Sequence, residues 1–376
     1  MRYYLIAGER SGDLHGSNLI KSLKKRDPDA LFRCWGGEYM QEAGAELVVH
    51  YNDMAFMGFF EVLLYFRKIM RNLRHCRRDI LEYNPDVVIL IDFAGFNLKM
   101  ASFLSKRNIK TYYYISPKVW AWYTSRAKKI KRIVDRMFVI LPFEKEFYLN
   151  YDFEVDYVGN PVVDAVNQHK ADQSFLEDPK IFNKEKYVAL LPGSRKQELK
   201  SILPNLVDLA SDFPETQFIL GGIKSIPREL YSTVREVPNI TIVYDRTYDV
   251  LAFAHAAVVT SGTATLETAL WDIPQVVIYR SNSALSVIIA KKVIKVKFIS
   301  LVNLIAGREV VRELIQENLT REHLNDEIYK LLNDTTFRDR IYTDYSEIRN
   351  ILGNEPVSDK AADLMTKYLK GKKLKT

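Results

Sequence analysis

The chain has 376 residues, 47% of them hydrophobic and 27% charged, which excludes collagen-like, disordered and disulfide-stapled classes. At ~150 residues per domain, the length suits two domains. Lys and Arg number 54 against 47 Asp and Glu, and the formal net charge of +7 favours an anionic partner: nucleic acid, a phosphorylated substrate or an acidic membrane.

Tyr3–Ala7 reads as a strand, Gly8 to Gly16 as a glycine-rich turn, and Leu14–Lys25 as a helix. The first residues lack a signal peptide's long apolar region and enter the strand at once, so no signal peptide is expected. Phe32–Trp35 and Leu47–His50 are further strands. The most apolar stretch, Met54 to Phe66, is shorter than the ~20 residues of a spanning helix, and Glu61 interrupts it. A long helix is predicted over Glu61–Tyr83. Asp86–Asp92 is a buried parallel strand, Thr111–Ile115 and Met137–Leu141 follow, and a basic helix near Ser125–Val134 lies between them. From Gln168 to Lys186 the chain is polar, the expected inter-domain connection. Strands restart at Tyr187–Leu191, Gln217–Gly221, Ile240–Tyr244, Ala257–Thr260 and Gln275–Tyr279. Beyond Arg321 the pattern is helical, and Ser358-Asp359 can cap a last helix with Ala361, Leu364, Met365 and Tyr368 on one face. This βαβ alternation predicts two tandem Rossmann-like, doubly wound parallel-sheet domains, residues 1–165 and 166–345, with a C-terminal helix and basic tail over 346–376. Ligands are expected beyond the carboxyl ends of the strands, in the cleft between the sheets. The two cysteines, Cys34 and Cys76, fit a reducing cytosol.

Three turns carry candidate chemistry. Gly8-Glu9-Arg10-Ser11-Gly12-Asp13-Leu14-His15-Gly16 follows the first strand and lacks the dinucleotide fingerprint. Its bland reading is a tight βα turn, but Glu9, Asp13 and His15 crowd a strand's carboxyl end, where polar groups serve ligands. Leu191-Pro192-Gly193-Ser194-Arg195 leads from strand to helix, so backbone N–H groups and Arg195 suit a phosphate; a capped helix with a surface arginine is the plain alternative. Ser261-Gly262-Thr263-Ala264-Thr265-Leu266-Glu267 offers a second anion cradle. Glu267 one turn later is placed to accept from a ribose. Read as a simple capping box on Thr263, this turn has Leu266 at the third helical position, which cannot reciprocate. Together these turns suggest a nucleoside diphosphate. The histidines and cysteines make no metal-ligand spacing, so neither metal nor cofactor is expected.

The long helix carries a core stripe of Val62, Phe66, Ile69, Leu73, Cys76 and Ile80 beside a cationic stripe of Arg67, Arg71, Arg74 and Arg78. A solvated basic face accounts for the charges alone. With the apolar Met54, Phe56, Met57, Phe59, Phe60 and Leu64 just upstream, a membrane interface accounts for both. Lys128, Lys129, Lys131, Arg132 and the basic tail extend the surface. Aromatics do not interleave with the charges, which disfavours nucleic acid.

These segments, in this order, resemble the lipid-A-disaccharide synthase family of GT-B type glycosyltransferases. The similarity includes Ala7-Gly8-Glu9-Arg10-Ser11-Gly12-Asp13, Met57-Gly58…Glu61-Val62-Leu63, Leu141-Pro142-Phe143-Glu144 and Leu301-Val302-Asn303-Leu304-Ile305-Ala306-Gly307-Arg308. Its most specific segment is Ser116-Pro117-Lys118-Val119-Trp120-Ala121-Trp122. The resemblance implies transfer of 2,3-diacylglucosamine from UDP to 2,3-diacylglucosamine 1-phosphate, forming a β-1,6 link with inversion. It implies a peripheral position on the cytoplasmic face of the inner membrane of Gram-negative bacteria, and leaves the oligomeric state open. Glu9, Asp92 and Asn303 are then expected as catalytic residues. Gly193, Ser194, Arg195, Ser261, Gly262, Thr263, Thr265 and Glu267 are expected on the nucleotide. Asp13, His15, Met57, Phe59, Phe60, Arg71, Arg74, Trp120 and Trp122 are expected on the acceptor and lipid. The family's second Asp after the fourth strand is here Gly95, and its Val-Gly-His-Pro is Val158-Gly159-Asn160-Pro161. For the base, the order is Glu9, then Asp92, then His15. A UDP-N-acetylglucosamine 2-epimerase would share the nucleotide turns without needing a lipid surface. A non-enzymatic peripheral membrane protein would use them for regulation.

Overall fold

The computed structural model describes residues 1–54, 66–121, 124–178, 181, 186–281 and 297–371. Short runs rich in β-branched and aromatic residues form the strands, and the intervening segments return over the faces, so all pairings in both sheets are parallel. The first sheet comprises β1 (Arg2–Ala7), β2 (Leu31–Gly36), β3 (Glu46–His50), β4 (Val87–Ile91), β5 (Thr111–Tyr114), β6 (Arg136–Val139) and β7 (Asp156–Tyr157), in the order β3-β2-β1-β4-β5-β6-β7. The second comprises β8 (Tyr187–Leu191), β9 (Gln217–Gly222), β10 (Ile240–Tyr244), β11 (Ala256–Thr260), β12 (Gln275–Tyr279) and β13 (Glu313–Ile315), in the order β10-β9-β8-β11-β12-β13. Each order reverses at one point, between β1 and β4 and between β8 and β11. Such switch points open a crevice at the carboxyl ends of doubly wound sheets.

The contacts divide the chain into two units: Met1–Pro161 with the stretch from Glu355 onward, and Val162–Asn354. In the first, Tyr3, Leu5 and Ala7 face the helix Arg10–Arg26, while Tyr4 and Ile6 face Leu73, Cys76 and Ile80 of the helix Phe66–Tyr83. Alternate β1 residues thus serve both layers. The last helix, Val357–Lys370, is part of this first core: Val357, Ala361 and Met365 are buried beside Leu19 and Leu23. Arg26 Nη2 holds Asp363 at 2.7 Å, and its Nη1 holds Asp359 at 3.2 Å. Pro356 precedes that helix and Ser358 lies within it, so Ser358 is not its cap. In the second core, Tyr187, Ala189 and Leu191 of β8 pack with Ala257 and Val259 of β11.

The first helix begins at Arg10, earlier than the sequence pattern suggests. Gly12 and Gly16 therefore lie inside it rather than in an open turn. A Cβ at Gly16 would stand 2.7 Å from the Met40 sulfur, so this glycine lets elements pack closely instead of admitting a ligand.

Candidate active site

In the first unit, Glu9 and Asp92 follow β1 and β4, the strands that flank the switch point. Glu9 is the half-buried N-cap of the helix Arg10–Arg26 and accepts a 3.0 Å bond from the Ser11 hydroxyl. The adjoining rim is strained: Asp92, Phe93 and Ile115 have φ of 42°, 47° and 65°, and positive values are uncommon for bulky or β-branched side chains. Polar contacts pin it. Asn97 Nδ2 donates to the Ile91 and Asp92 carbonyls at 3.1 and 2.9 Å, and the Tyr113 hydroxyl donates to Asp92 O at 2.6 Å. The Phe93 ring lies on Gly8, where a Cβ would meet it at 2.2 Å. Burial, then the charge of Glu9, push the Asp92 carboxyl up to about 6; Lys118 opposes them. A carboxyl with that pKa suits proton transfer near neutrality. Gly95 is exposed, and a Cβ there would meet nothing within 4 Å.

Asp13 is fully buried and accepts from the Gly37, Tyr39 and Met40 N–H groups at 2.7, 3.0 and 3.2 Å. It fixes the turn after β2 and presents no free oxygen to an acceptor, contrary to the sequence expectation. His15 is half-buried, and burial lowers its pKa to about 4, so it is neutral near pH 7. Trp120 is also turned inward: its Nε1 donates to Glu144 Oε1 at 3.1 Å, and its ring meets Phe143 edge-on at 4.9 Å. Glu144, 1% exposed, accepts the Leu141 N–H at 3.0 Å, and burial pushes its carboxyl up to about 7. Trp120 thus anchors the Ser-Pro-x-Val-Trp loop rather than lining a lipid surface. Asn160, where the family has His, is buried and donates to the Ile140 carbonyl at 3.2 Å. Arg67, Arg71, Arg74 and Arg78 are all exposed on their helix. Met57, Phe59, Phe60 and Trp122 lie outside the described residues, as do the remaining apolar residues of 55–65 and the end of the basic tail.

In the second unit, both anion turns stand at the switch point, after β8 and β11. Gly193 has a φ of 101°, and a Cβ there would meet Glu198 Oε2 at 2.5 Å. That oxygen accepts the Ser194 and Arg195 N–H groups at 3.1 and 3.2 Å, while Oε1 holds Arg195 Nη1 at 2.8 Å. The cradle read from the sequence therefore already holds an anion, the protein's own carboxylate. Arg195 remains 72% exposed. In the other turn Gly262 caps the helix Thr263–Leu270, and Gly262 and Thr263 are exposed. Ser261 Oγ donates to Ile299 O at 2.9 Å. Thr265 is buried, donates to Gly262 O at 2.9 Å and accepts from Leu301 N at 3.3 Å. Glu267 is half-buried; burial raises its carboxyl pKa, and the Tyr248 hydroxyl donates to it at 3.0 Å.

Asn303 does not face solvent. It is fully buried, its Oδ1 accepts from Val310 N and Val311 N at 2.8 and 3.0 Å, and its Nδ2 donates to Val311 O and Glu313 Oε1 at 2.8 and 2.9 Å. With both ends of its amide engaged, it organises the 299–313 loop. Phe93, Glu144, Glu198 and Tyr248 were given no role in the sequence reading. Two carried a signal: Glu144 in the Leu-Pro-Phe-Glu segment, and Glu198 three residues after the N-cap Arg195. Among the described residues, no group of three or more His, Cys, Asp or Glu is arranged to hold a metal ion.

Two parallel doubly wound sheets, each with polar turns at its switch point, define a GT-B-like α/β protein. Solved structures share this fold. The UDP-GlcNAc 2-epimerase from Neisseria meningitidis bound to UDP-GlcNAc matches with a TM-score of 0.68 at 13% identity, covering 99% of this chain and 100% of that one. The glycosyltransferase of kitacinnamycin matches at 0.64 and 16%, covering 98% and 99%. Sequence gives the particular family. The lipid-A-disaccharide synthetase profile matches residues 3–367. The lipid-A-disaccharide synthase of Geobacter metallireducens (strain ATCC 53774 / DSM 7210 / GS-15) is 37% identical over 99% of this chain and 98% of its own. That of Coxiella burnetii (strain Dugway 5J108-111) is 37% identical over 92% of each. The chain belongs to the lipid-A-disaccharide synthase family, and is a glycosyltransferase of lipid A synthesis.

Proposed function

We propose that the enzyme transfers 2,3-diacylglucosamine from UDP to the 6-hydroxyl of 2,3-diacylglucosamine 1-phosphate with inversion. The products are the β-1,6-linked disaccharide 1-phosphate and UDP. The observation that carries the mechanism is the Glu9–Asp92 pair at the first switch point, with the Asp92 carboxyl raised to about 6. In this reading Asp92 takes the proton from the acceptor hydroxyl as its oxygen attacks the anomeric carbon. The bond from that carbon to the diphosphate oxygen breaks, and its electrons leave with UDP. Glu9 keeps Asp92 basic through its charge, which reverses the order drawn from sequence. The exposed Arg195 and the N–H groups at Gly262 and Thr263 meet the charge on the departing diphosphate, without a metal. Glu267 accepts from the ribose.

The substrates also bring the enzyme to a membrane. The exposed arginines of the helix Phe66–Tyr83 attract anionic lipid, and the apolar residues just before it enter the interface, on the cytoplasmic face of the inner membrane. No described helix is long and apolar enough to cross a membrane.

The test is UDP release by the purified chain. It should require both acylated sugars and persist in EDTA, and Arg195→Ala should lower turnover by ~10²–10³, the usual loss for one transition-state charge partner. Epimerisation of UDP-N-acetylglucosamine without release of UDP would replace this reading with the epimerase one.

A further inference from the structure

Tyr248 has no place in the mechanism above, yet two other chain segments, at His169 and at Glu267–Trp271, converge on it. It lies in Thr247–Ala252, the crossover helix from β10 to β11. The His169 ring meets its ring edge-on at 5.3 Å, and the Trp271 ring lies 6.2 Å away. His169 is itself fixed, with Nε2 3.0 Å from Asp249 Oδ1 and its ring edge-on to Trp271 at 6.0 Å. Asp249 is buried and also accepts from Asp172 N at 3.1 Å and Arg246 Nε at 2.8 Å. Arg246 Nη2 in turn holds Asp172 at 2.6 Å. A phenol clamped this way has little rotamer freedom left to lose. Its hydroxyl is aimed at Glu267 Oε1, 3.0 Å away.

We infer that Tyr248 is a positioning residue: it occupies one oxygen of Glu267 and leaves the other to accept a ribose hydroxyl. The inference rests on the reading of Glu267 as the ribose ligand. The geometry favours this role over simple packing. The ring alone would fill the space among His169 and Trp271, whereas the hydroxyl's partner among the described residues is the carboxylate. A carboxylate oriented in advance binds without the cost of ordering a flexible side chain.

The probes are UDP and 2′,3′-dideoxy-UDP, with affinities measured by calorimetry on the whole chain. The wild type should prefer UDP. Tyr248→Phe keeps the ring and removes the hydroxyl, so it should weaken UDP by about tenfold, the size of one charge-assisted bond, and leave the dideoxy analogue unchanged. The preference between the two should therefore collapse, an effect that general loosening of the helix would not produce. His169→Gln, which loosens the clamp and spares the hydroxyl, should reduce the preference by a smaller factor. If Glu267→Gln abolishes the preference while Tyr248→Phe and His169→Gln both retain it, Tyr248 does not position the carboxylate and the inference is overturned. If Glu267→Gln itself retains the wild-type preference, the ribose reading fails, and the inference with it.

Discussion

Asp92→Asn should inactivate the enzyme and stabilise it, and both effects have one cause. Asp92 has a φ of 42°, which asparagine tolerates well, so the exchange removes a charge without straining the backbone. The native pKa of about 6 lies above the reference of 3.8. The folded state therefore holds the proton more tightly than the unfolded chain, and stability falls as pH rises from 3.8 to 6. Above 6 the whole penalty is present. At ~1.36 kcal/mol per pKa unit it reaches about 3 kcal/mol, and solvent at the half-open rim reduces it to ~1–3 kcal/mol. For a unit of this size that is roughly 2–10 °C in melting temperature. Thermal unfolding of Asp92→Asn and wild type at pH 8 and pH 4 measures it. The variant should melt higher at pH 8, and the gain should vanish at pH 4. Glu9→Gln removes only the second contribution, so the acid limb of kcat/KM should move below 6 without reaching 3.8. A lower melting point for Asp92→Asn at pH 8, or an equal gain at both pH values, would show that the ionised Asp92 carboxylate does not destabilise the fold.

The same logic applies to Glu144, whose native pKa of about 7 compares with a reference of 4.5, so its contribution to stability falls between pH 4.5 and 7. Glu144→Gln should flatten that slope in melting curves, and Glu144→Ala should cost ~2–4 kcal/mol by orphaning the Trp120 and Leu141 N–H groups. Asn303→Ala leaves two buried N–H groups and a carbonyl unpaired, and should cost ~2–5 kcal/mol in urea unfolding; a loss of turnover at unchanged stability would return Asn303 to the substrate. Phe59→Ser with Phe60→Ser should weaken sedimentation with anionic vesicles at every salt concentration, whereas replacing Arg71 and Arg74 by Gln should flatten the salt dependence. Wild-type sedimentation by both variants would move the lipid surface elsewhere.

Much of the fold was legible because β1, β4, β8 and β11 are short apolar runs buried on both faces, with turns between them. The two-residue β7 and three-residue β13 are too short to show a period. The loops after β1, β4, β8 and β11 could be read as polar turns at strand ends, and the structure sets each beside a switch point. Less legible was which polar groups the protein spends on itself. Asp13 reaches a turn 24–27 residues away, and Asn303 is engaged by residues 7–10 ahead. Glu198 fills its own cradle within one helical turn, a capping pattern the sequence contained. The raised carboxyl of Asp92 depends on burial and on Glu9; the strands that precede these two residues have two others between them in the chain but are adjacent in the sheet through the Ala7–Ile91 pairing.

The proposed reaction is an inverting transfer between two acylated glucosamines. Its most direct test is the structure of the product formed from UDP-2,3-diacylglucosamine and 2,3-diacylglucosamine 1-phosphate, by mass spectrometry and proton NMR of the new anomeric centre. One equivalent of UDP and a β-1,6-linked tetra-acylated disaccharide 1-phosphate are expected. An α linkage would contradict a single displacement assisted by Asp92, and UDP release without a disaccharide would contradict the transfer itself.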